Sequence, residues 1–132
     1  MCLGDTWTDR YKSLKLQTPK DMSELPFGRW FTKDMSYNVS TEELTRTYRE
    51  YAGACNLNIW CSATVESATW QEETRTWDVL VMSGGKQHKV TCRHAVFSIG
   101  GLGQEAKMAE YPDRKSFPGT TLHSMSWSSG ES

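Results

Sequence analysis

The stretch TWDVLVMSGGKQHKVTC, residues 76–92, decides the fold of this chain. Residues 76–82 are rich in apolar and β-branched side chains, residues 83–86 form a glycine-rich turn, and residues 87–92 can pair back on the first segment. Residues 63–67 alternate between apolar and polar side chains, and the polar turn QEET, residues 71–74, lies between them and residue 76. The sequence therefore predicts a three-stranded antiparallel β-meander.

Two apolar segments flank the predicted meander. LNIWC, residues 57–61, alternates and predicts a short strand. HAVFSI, residues 94–99, is an apolar run that ends at Gly100-Gly101, and such a run is typical of a strand buried on both faces. We expect this return strand to rejoin a larger parallel sheet.

The part of the chain before the meander contains one clear helix. Ser40 and Glu43 have the spacing of a capping box, in which each side chain accepts the other residue's backbone N–H. Val39 and Leu44 are placed as a hydrophobic staple, and apolar residues then recur at helical spacing. An amphipathic helix is predicted over residues 41–54. Residues 18–38 contain two prolines and a glycine and are predicted to be mostly loop.

Composition excludes several function classes. The chain has 132 residues, a formal net charge of −1 and six tryptophans. It lacks the basic stripe of a nucleic-acid-binding protein, an apolar run long enough for a membrane span, and the layout of a signal peptide, so a cytoplasmic location is expected. Its four cysteines form no C-x-x-C pair and have no histidines at ligand spacing, so no metal is expected and the thiols are predicted to be structural.

Three motifs give the chain a family resemblance. Phe117, Gly119, His123 and Trp127 fit the pattern F-x-G-x-x-x-H-x-x-x-W, which resembles the identifying motif of Baeyer–Villiger monooxygenases. Flavin-containing monooxygenases carry a close variant that ends in Tyr or Phe. Residues 4–20 are similar to the G-G-x-W…Y-x-x-L-x-L-[HN]-[TS]-x-K stretch of the same family, and residues 97–101 resemble its A-T-G. The resemblance covers nearly the whole chain.

The resemblance implies an α/β fold: a partial two-dinucleotide-binding (Rossmann-like) FAD domain with a three-stranded antiparallel β-meander. It divides the chain into four parts, which are an irregular flavin-facing segment, a helix, the meander with its return strand, and an interdomain linker (residues 1–39, 40–55, 57–101 and 102–132). Phe117, Gly119, His123 and Trp127 belong to the linker, where a largely structural role is expected for His123.

The resemblance also implies a function. A complete enzyme would use FAD and NADPH to insert one oxygen atom from O2 into a small organic substrate through a C4a-(hydro)peroxyflavin, while the protein binds, orients and excludes water. Gln17 takes the position of the polar residue that stabilises the oxygenated flavin. The residues expected at the cofactor are Trp7, Gln17, Thr18, Val65, Ser98 and Gly100. Trp7 is equally well described as a core tryptophan, and Val65 as a buried strand valine.

The sequence contains no G-x-G-x-x-G loop, which relatives use to hold the FAD pyrophosphate and again for NADP. We therefore expect a fragment that lacks the N- and C-terminal halves of the enzyme and is inactive alone. The alternative is a truncated, non-catalytic remnant that acts, if at all, through an exposed sheet edge. A pyridine-nucleotide–disulfide reductase is disfavoured because its paired redox cysteines are missing.

Overall fold

The computed structural model describes residues 3–100 and 107–129. They form two compact units: a sheet unit, made of Leu3 with residues 56–100, and a helix unit, made of residues 4–55 with 107–129. In chain order the elements are α1 (Asp5–Thr8), α2 (Thr41–Ala54), β1 (Ala63–Gln71), β2 (Thr76–Ser83) and β3 (Lys86–Cys92), with short 3-10 helices at Lys20–Met22, Arg114–Ser116 and Ser124–Ser126. No helix in the described ranges is both long and apolar enough to cross a bilayer.

The main helix, α2, begins and ends where its local sequence predicts. Ser40 is the N-cap: its hydroxyl accepts the Glu43 N–H at 3.2 Å, and the Glu43 carboxylate accepts the Ser40 N–H at 2.8 Å. Val39 and Leu44, the predicted staple, are 0% and 1% exposed and share one core cluster. The predicted helix and its capping box are both confirmed.

Half of the core in the helix unit comes from the predicted loop. The cluster consists of Phe31, Met35, Val39 and Leu44, with Trp7, Leu16 and Tyr48 packed against it. Residues 18–38 are irregular apart from the turn Lys20–Met22, as predicted. Burying a large apolar side chain contributes about 1.5–3 kcal/mol. The loop is therefore held in place by its own side chains rather than by regular structure.

A set of hydrogen bonds from one lysine closes this loop. The Lys20 ammonium donates to the carbonyl oxygens of Thr32 at 2.8 Å, Lys33 at 3.2 Å and Met35 at 2.6 Å. An ammonium has three N–H donors, and here each has a backbone acceptor. Lys20 thus ties the start of the loop to its end, and it is the lysine of the family-like stretch over residues 4–20.

The sheet unit contains the predicted meander, with strand order β1-β2-β3 and both pairings antiparallel. Val65 pairs with Val81 across β1 and β2, and a bulge follows between Val65 and Ser67. Only Val81, at 8% exposure, is buried among the hydrophobic residues of the strands. The meander is confirmed, and β1 runs four residues beyond the predicted segment 63–67, to Gln71.

Two predicted strands are wrong. Residues 57–61 form an irregular segment and turn, and residues 94–100 have no strand structure. Val96 is 87% exposed and Ile99 74% exposed, so the return strand is not buried on either face. A strand requires a hydrogen-bonded neighbour, and no described residue forms a ladder with either segment. Gly101 and residues 102–106 of the predicted linker lie outside the described residues.

Candidate functional site

The segment that carries Gln17 is fixed through its backbone. The Leu16 N–H donates to the Val39 carbonyl at 2.9 Å, and the Asn38 carboxamide donates to the carbonyls of Leu16 at 2.8 Å and Gln17 at 3.1 Å. The side chains of Gln17 and Thr18 are exposed. The helix unit therefore presents two polar side chains to solvent from a backbone that is anchored next to the N-terminus of α2.

Trp7 is positioned by the core of the helix unit. It is half-buried and packs against the Phe31–Leu44 cluster, which supports its description as a core tryptophan. Gly4, three residues earlier, has φ of +93°, and a Cβ at Gly4 would lie 2.5 Å from Cγ2 of Thr45 on α2. The glycine and tryptophan of the family-like stretch over residues 4–20 thus have a packing explanation: α1 approaches α2 too closely for a side chain at Gly4, and Trp7 packs on the core cluster.

The F-x-G-x-x-x-H-x-x-x-W motif is likewise explained by local contacts. A Cβ at Gly119 would lie 2.6 Å from the ring of Phe117, which covers that glycine. His123 accepts the Met125 N–H through Nδ1 at 3.2 Å. The Trp127 ring packs edge-on against Tyr11, with ring centroids 5.0 Å apart. The motif therefore connects residues 117–127 to the segment that leads to Gln17.

The remaining predicted cofactor residues lie in the sheet unit. Val65 lies at the bulge of β1 and is 58% exposed, so its description as a buried strand valine is wrong. Ser98 and Gly100 lie in the irregular segment after β3 and are exposed. Gly100 has φ of +78°, a conformation that favours glycine. Ser98 and Gly100 are therefore near neighbours on an exposed segment rather than residues at the end of a regular strand.

The perturbed carboxylates have structural roles. Backbone N–H groups of Ser40 and Ser36 lower the pKa of Glu43, which caps α2 and also accepts the Ser36 N–H at 2.9 Å. Hydrogen bonds from Lys89 and then Thr91 lower the pKa of Asp78. Within residues 3–100 and 107–129, no three histidine, cysteine, aspartate or glutamate side chains meet at metal-binding distance.

A hollow in the sheet unit was not predicted from the sequence. It measures about 860 Å³ and is open to solvent; it is lined by Trp70, Thr74, Arg75, Trp77, Arg93, His94, Ala95 and Val96. Trp70 and Trp77 are direct partners across β1 and β2. The sequence signal that could have indicated this hollow is the pair of tryptophans placed symmetrically about a hairpin turn. The two arginines come from irregular segments, and no local sequence pattern determines where such segments lie.

The amino-acid sequence of this chain is similar to those of plant monooxygenases. No family model matches the chain. It is 27% identical over 130 residues to indole-3-pyruvate monooxygenase YUCCA1 of Oryza sativa subsp. japonica, and 28% and 27% identical to the probable indole-3-pyruvate monooxygenases YUCCA4 and YUCCA9 of Arabidopsis thaliana. Each alignment covers 98% of this chain and 30–31% of the relative.

The curated homologues of this chain are thus monooxygenases, and specifically indole-3-pyruvate monooxygenases of the YUCCA type. The resemblance to flavin-dependent monooxygenases predicted from the sequence is confirmed. The chain spans about 31% of the length of the curated relatives it matches.

Proposed function

We propose that this chain is part of the Rossmann-like FAD domain of a FAD- and NADPH-dependent monooxygenase that inserts one atom of O2 into a small organic substrate. The observation that carries the proposal is similarity to monooxygenases over 98% of the chain, together with the complete F-x-G-x-x-x-H-x-x-x-W motif. The names of the relatives point to an aromatic 2-oxo acid, of which indole-3-pyruvate is the example.

The exposed residues of the helix unit fit a flavin chemically. The polar edge of an isoalloxazine ring alternates carbonyl acceptors with an N–H donor, and the Gln17 carboxamide supplies both complementary groups. Its side chain is exposed, while Asn38 holds its carbonyl oxygen and therefore its backbone position. The Thr18 hydroxyl, also exposed, can donate and accept beside it. Gln17 and Thr18 are the residues we propose to bind the ring.

The exposed residues of the sheet unit can contact a cofactor through their backbones. Gly100 has no side chain and a positive φ, so a flat ligand can approach its peptide closely. Ser98 adds a hydroxyl two residues earlier, and Val65 lies at a bulge, where one residue of the strand is left out of the ladder. Trp7 is a weaker candidate for a cofactor contact because its side chain packs against the core of the helix unit.

When bound, FAD supplies the redox and oxygen chemistry. The work of this chain is to bind and orient the ring. We propose that the Gln17 carboxamide hydrogen-bonds to the polar edge of the ring in place of water, and so fixes the ring relative to the substrate. The buried Phe31–Leu44 cluster and Asn38 keep the backbone of Gln17 in place, so little ordering entropy is lost there when the cofactor binds.

The test is titration of FAD with the purified chain, followed by quenching of flavin fluorescence. We expect saturable quenching, and we expect Gln17→Ala to weaken binding about three- to tenfold because one hydrogen bond contributes about 0.5–1.5 kcal/mol. Gln87→Ala is the matched control, since Gln87 is an exposed glutamine whose side chain donates to Glu66 on the sheet. A folded chain that gives no saturable quenching, or equal effects of the two variants, contradicts the proposed role.

A further inference from the structure

The walls of the hollow in the sheet unit are aromatic and fixed. The rings of Trp70 and Trp77 lie with centroids 5.6 Å apart and planes inclined at 58°, and Trp77 meets Phe97 edge-on at 5.9 Å. The Trp70 indole N–H donates to the Glu72 carboxylate at 2.6 Å, which fixes the orientation of that ring. Tryptophan faces of this kind offer a large flat surface to a planar ligand.

The charged side chains that line the hollow are both arginines. Arg75 and Arg93 contribute two guanidinium groups and His94 an imidazole, while none of the described residues that line the hollow carries a carboxylate. Neither guanidinium has a hydrogen-bond or ion-pair partner in the parts of the chain that the structure describes. Elsewhere on the sheet the cation Lys89 is paired with Asp78 at 3.0 Å. Two unpaired guanidinium groups therefore give this open surface positive charge, which the Glu72 carboxylate bound to the Trp70 N–H offsets in part.

Arginine has the geometry for anion recognition, since its planar fork donates two parallel N–H bonds to a carboxylate or phosphate and also stacks on aromatic rings. The volume of about 860 Å³ falls within the range of small-molecule sites, roughly 300–1,000 Å³. We propose that the hollow is a binding site for a planar aromatic anion: the ring packs on Trp70 or Trp77, and the anionic group lies between Arg75 and Arg93.

This site is independent of the proposed flavin contacts. None of Gln17, Thr18, Val65, Ser98 and Gly100 lines the hollow. Its ligand must combine both features, since a neutral ring leaves the two guanidinium groups uncompensated and a bare anion leaves the tryptophan faces uncovered. An aromatic carboxylate and a nucleoside monophosphate share this chemistry, and the experiment distinguishes them.

The experiment records the six indole N–H resonances of the 15N-labelled chain by NMR, assigned with single Trp→Phe variants. The probes are 1-naphthoate, adenosine monophosphate, neutral 1-naphthalenemethanol and inorganic phosphate. We expect saturable shifts of the Trp70 and Trp77 resonances with at least one aromatic anion, little change at Trp7 and Trp30, and at least tenfold weaker binding of the neutral ring and of phosphate alone. Whichever aromatic anion binds more tightly identifies the anionic group.

Two variants test the cations without disturbing the fold. Arg75 has φ of +51°, so Arg75→Asn is chosen because asparagine tolerates that conformation, and Arg93→Gln removes the second charge. Each variant should weaken binding about five- to tenfold, whereas Lys86→Gln, which removes an exposed charge outside the hollow, should change it less than twofold. The proposal is overturned if no aromatic anion shifts Trp70 or Trp77, if the neutral ring binds equally well, or if both arginine variants retain full affinity with unchanged circular dichroism.

Discussion

Replacing Gly4 with alanine tests the packing that explains the glycine of the family-like stretch over residues 4–20. The alanine would have to adopt φ of +93°, which costs an L-residue about 1–2 kcal/mol. Its Cβ would also lie 2.5 Å from Cγ2 of Thr45, a residue only 2% exposed and held by α2. Overpacking of this kind costs about 1–3 kcal/mol. We therefore expect Gly4→Ala to lower the free energy of unfolding by about 2–5 kcal/mol in total.

The assay is urea unfolding followed by far-ultraviolet circular dichroism, whose helical signal comes mainly from α2. Gly53→Ala is the matched control, because Gly53 lies within α2 and a Cβ there would have no packed neighbour within 4 Å. Alanine at this position should raise the free energy of unfolding by about 1 kcal/mol through its higher helix propensity. Adding Thr45→Ser to Gly4→Ala removes the methyl group at 2.5 Å and should restore part of the steric share, because Oγ1 and Cβ of residue 45 remain at 3.1 and 3.2 Å. A Gly4→Ala chain as stable as the parent would refute the close approach of α1 to α2.

Three further predictions concern the helix unit. Thr45→Val removes a buried hydroxyl oxygen that has no hydrogen-bond partner among the described residues, and it should raise the free energy of unfolding by about 1 kcal/mol in the urea assay. A free energy of unfolding below that of the parent chain would show that the hydroxyl has a hydrogen-bond partner. The pKa of Glu43 is lowered in the folded chain, so its stabilising contribution is present above the ordinary value of 4.5 and is lost as the pH falls through the lower folded value. Glu43→Ala should therefore lower the free energy of unfolding by about 1–2 kcal/mol at neutral pH and reduce its fall at acid pH. A fall at acid pH as large as that of the parent would contradict the capping role of Glu43. Gly119→Ala should displace the Phe117 ring and so cause large changes in the NMR shifts of the ring protons. Because Phe117 is 58% exposed, the free energy of unfolding should fall by about 1 kcal/mol or less. Unchanged ring proton shifts would contradict the position of the ring over Gly119.

Local sequence signals were sufficient for α2 and for the meander. The Ser40–Glu43 capping box fixes the start of α2 within one turn of chain, and the two turns of the meander set the pairing of its neighbouring strands. Each of these features depends on residues close together in sequence, so the local pattern was enough to place them.

The predictions that failed depend on distant partners. The apolar run at residues 94–99 has the composition of a buried parallel strand, but composition cannot supply the neighbouring strands that would bury it. The same applies to residues 57–61, whose alternation is indistinguishable from that of a strand until a partner is present.

Side-chain contacts between distant parts of the chain were also beyond local reasoning. Asn38 holds the carbonyl of Gln17 from 21 residues away, and Lys20 closes its loop through carbonyls 12 to 15 residues later. Backbone carbonyls carry no sequence information, so nothing in the residue types identifies such acceptors. The family-like stretch shows that Gln17 and Lys20 belong to a motif, and the structure supplies the physical roles of Asn38 and Lys20.

The proposed flavin contacts are Gln17 and Thr18 in the helix unit and Ser98 and Gly100 in the sheet unit. The most direct measurement is the backbone amide NMR spectrum of the 15N-labelled chain during titration with FAD. We expect saturable shifts centred on residues 16–18 and 98–100, with amides in the middle of α2 unchanged. Shifts confined to the residues that line the hollow, or none at all in a folded chain, would contradict the proposed contacts.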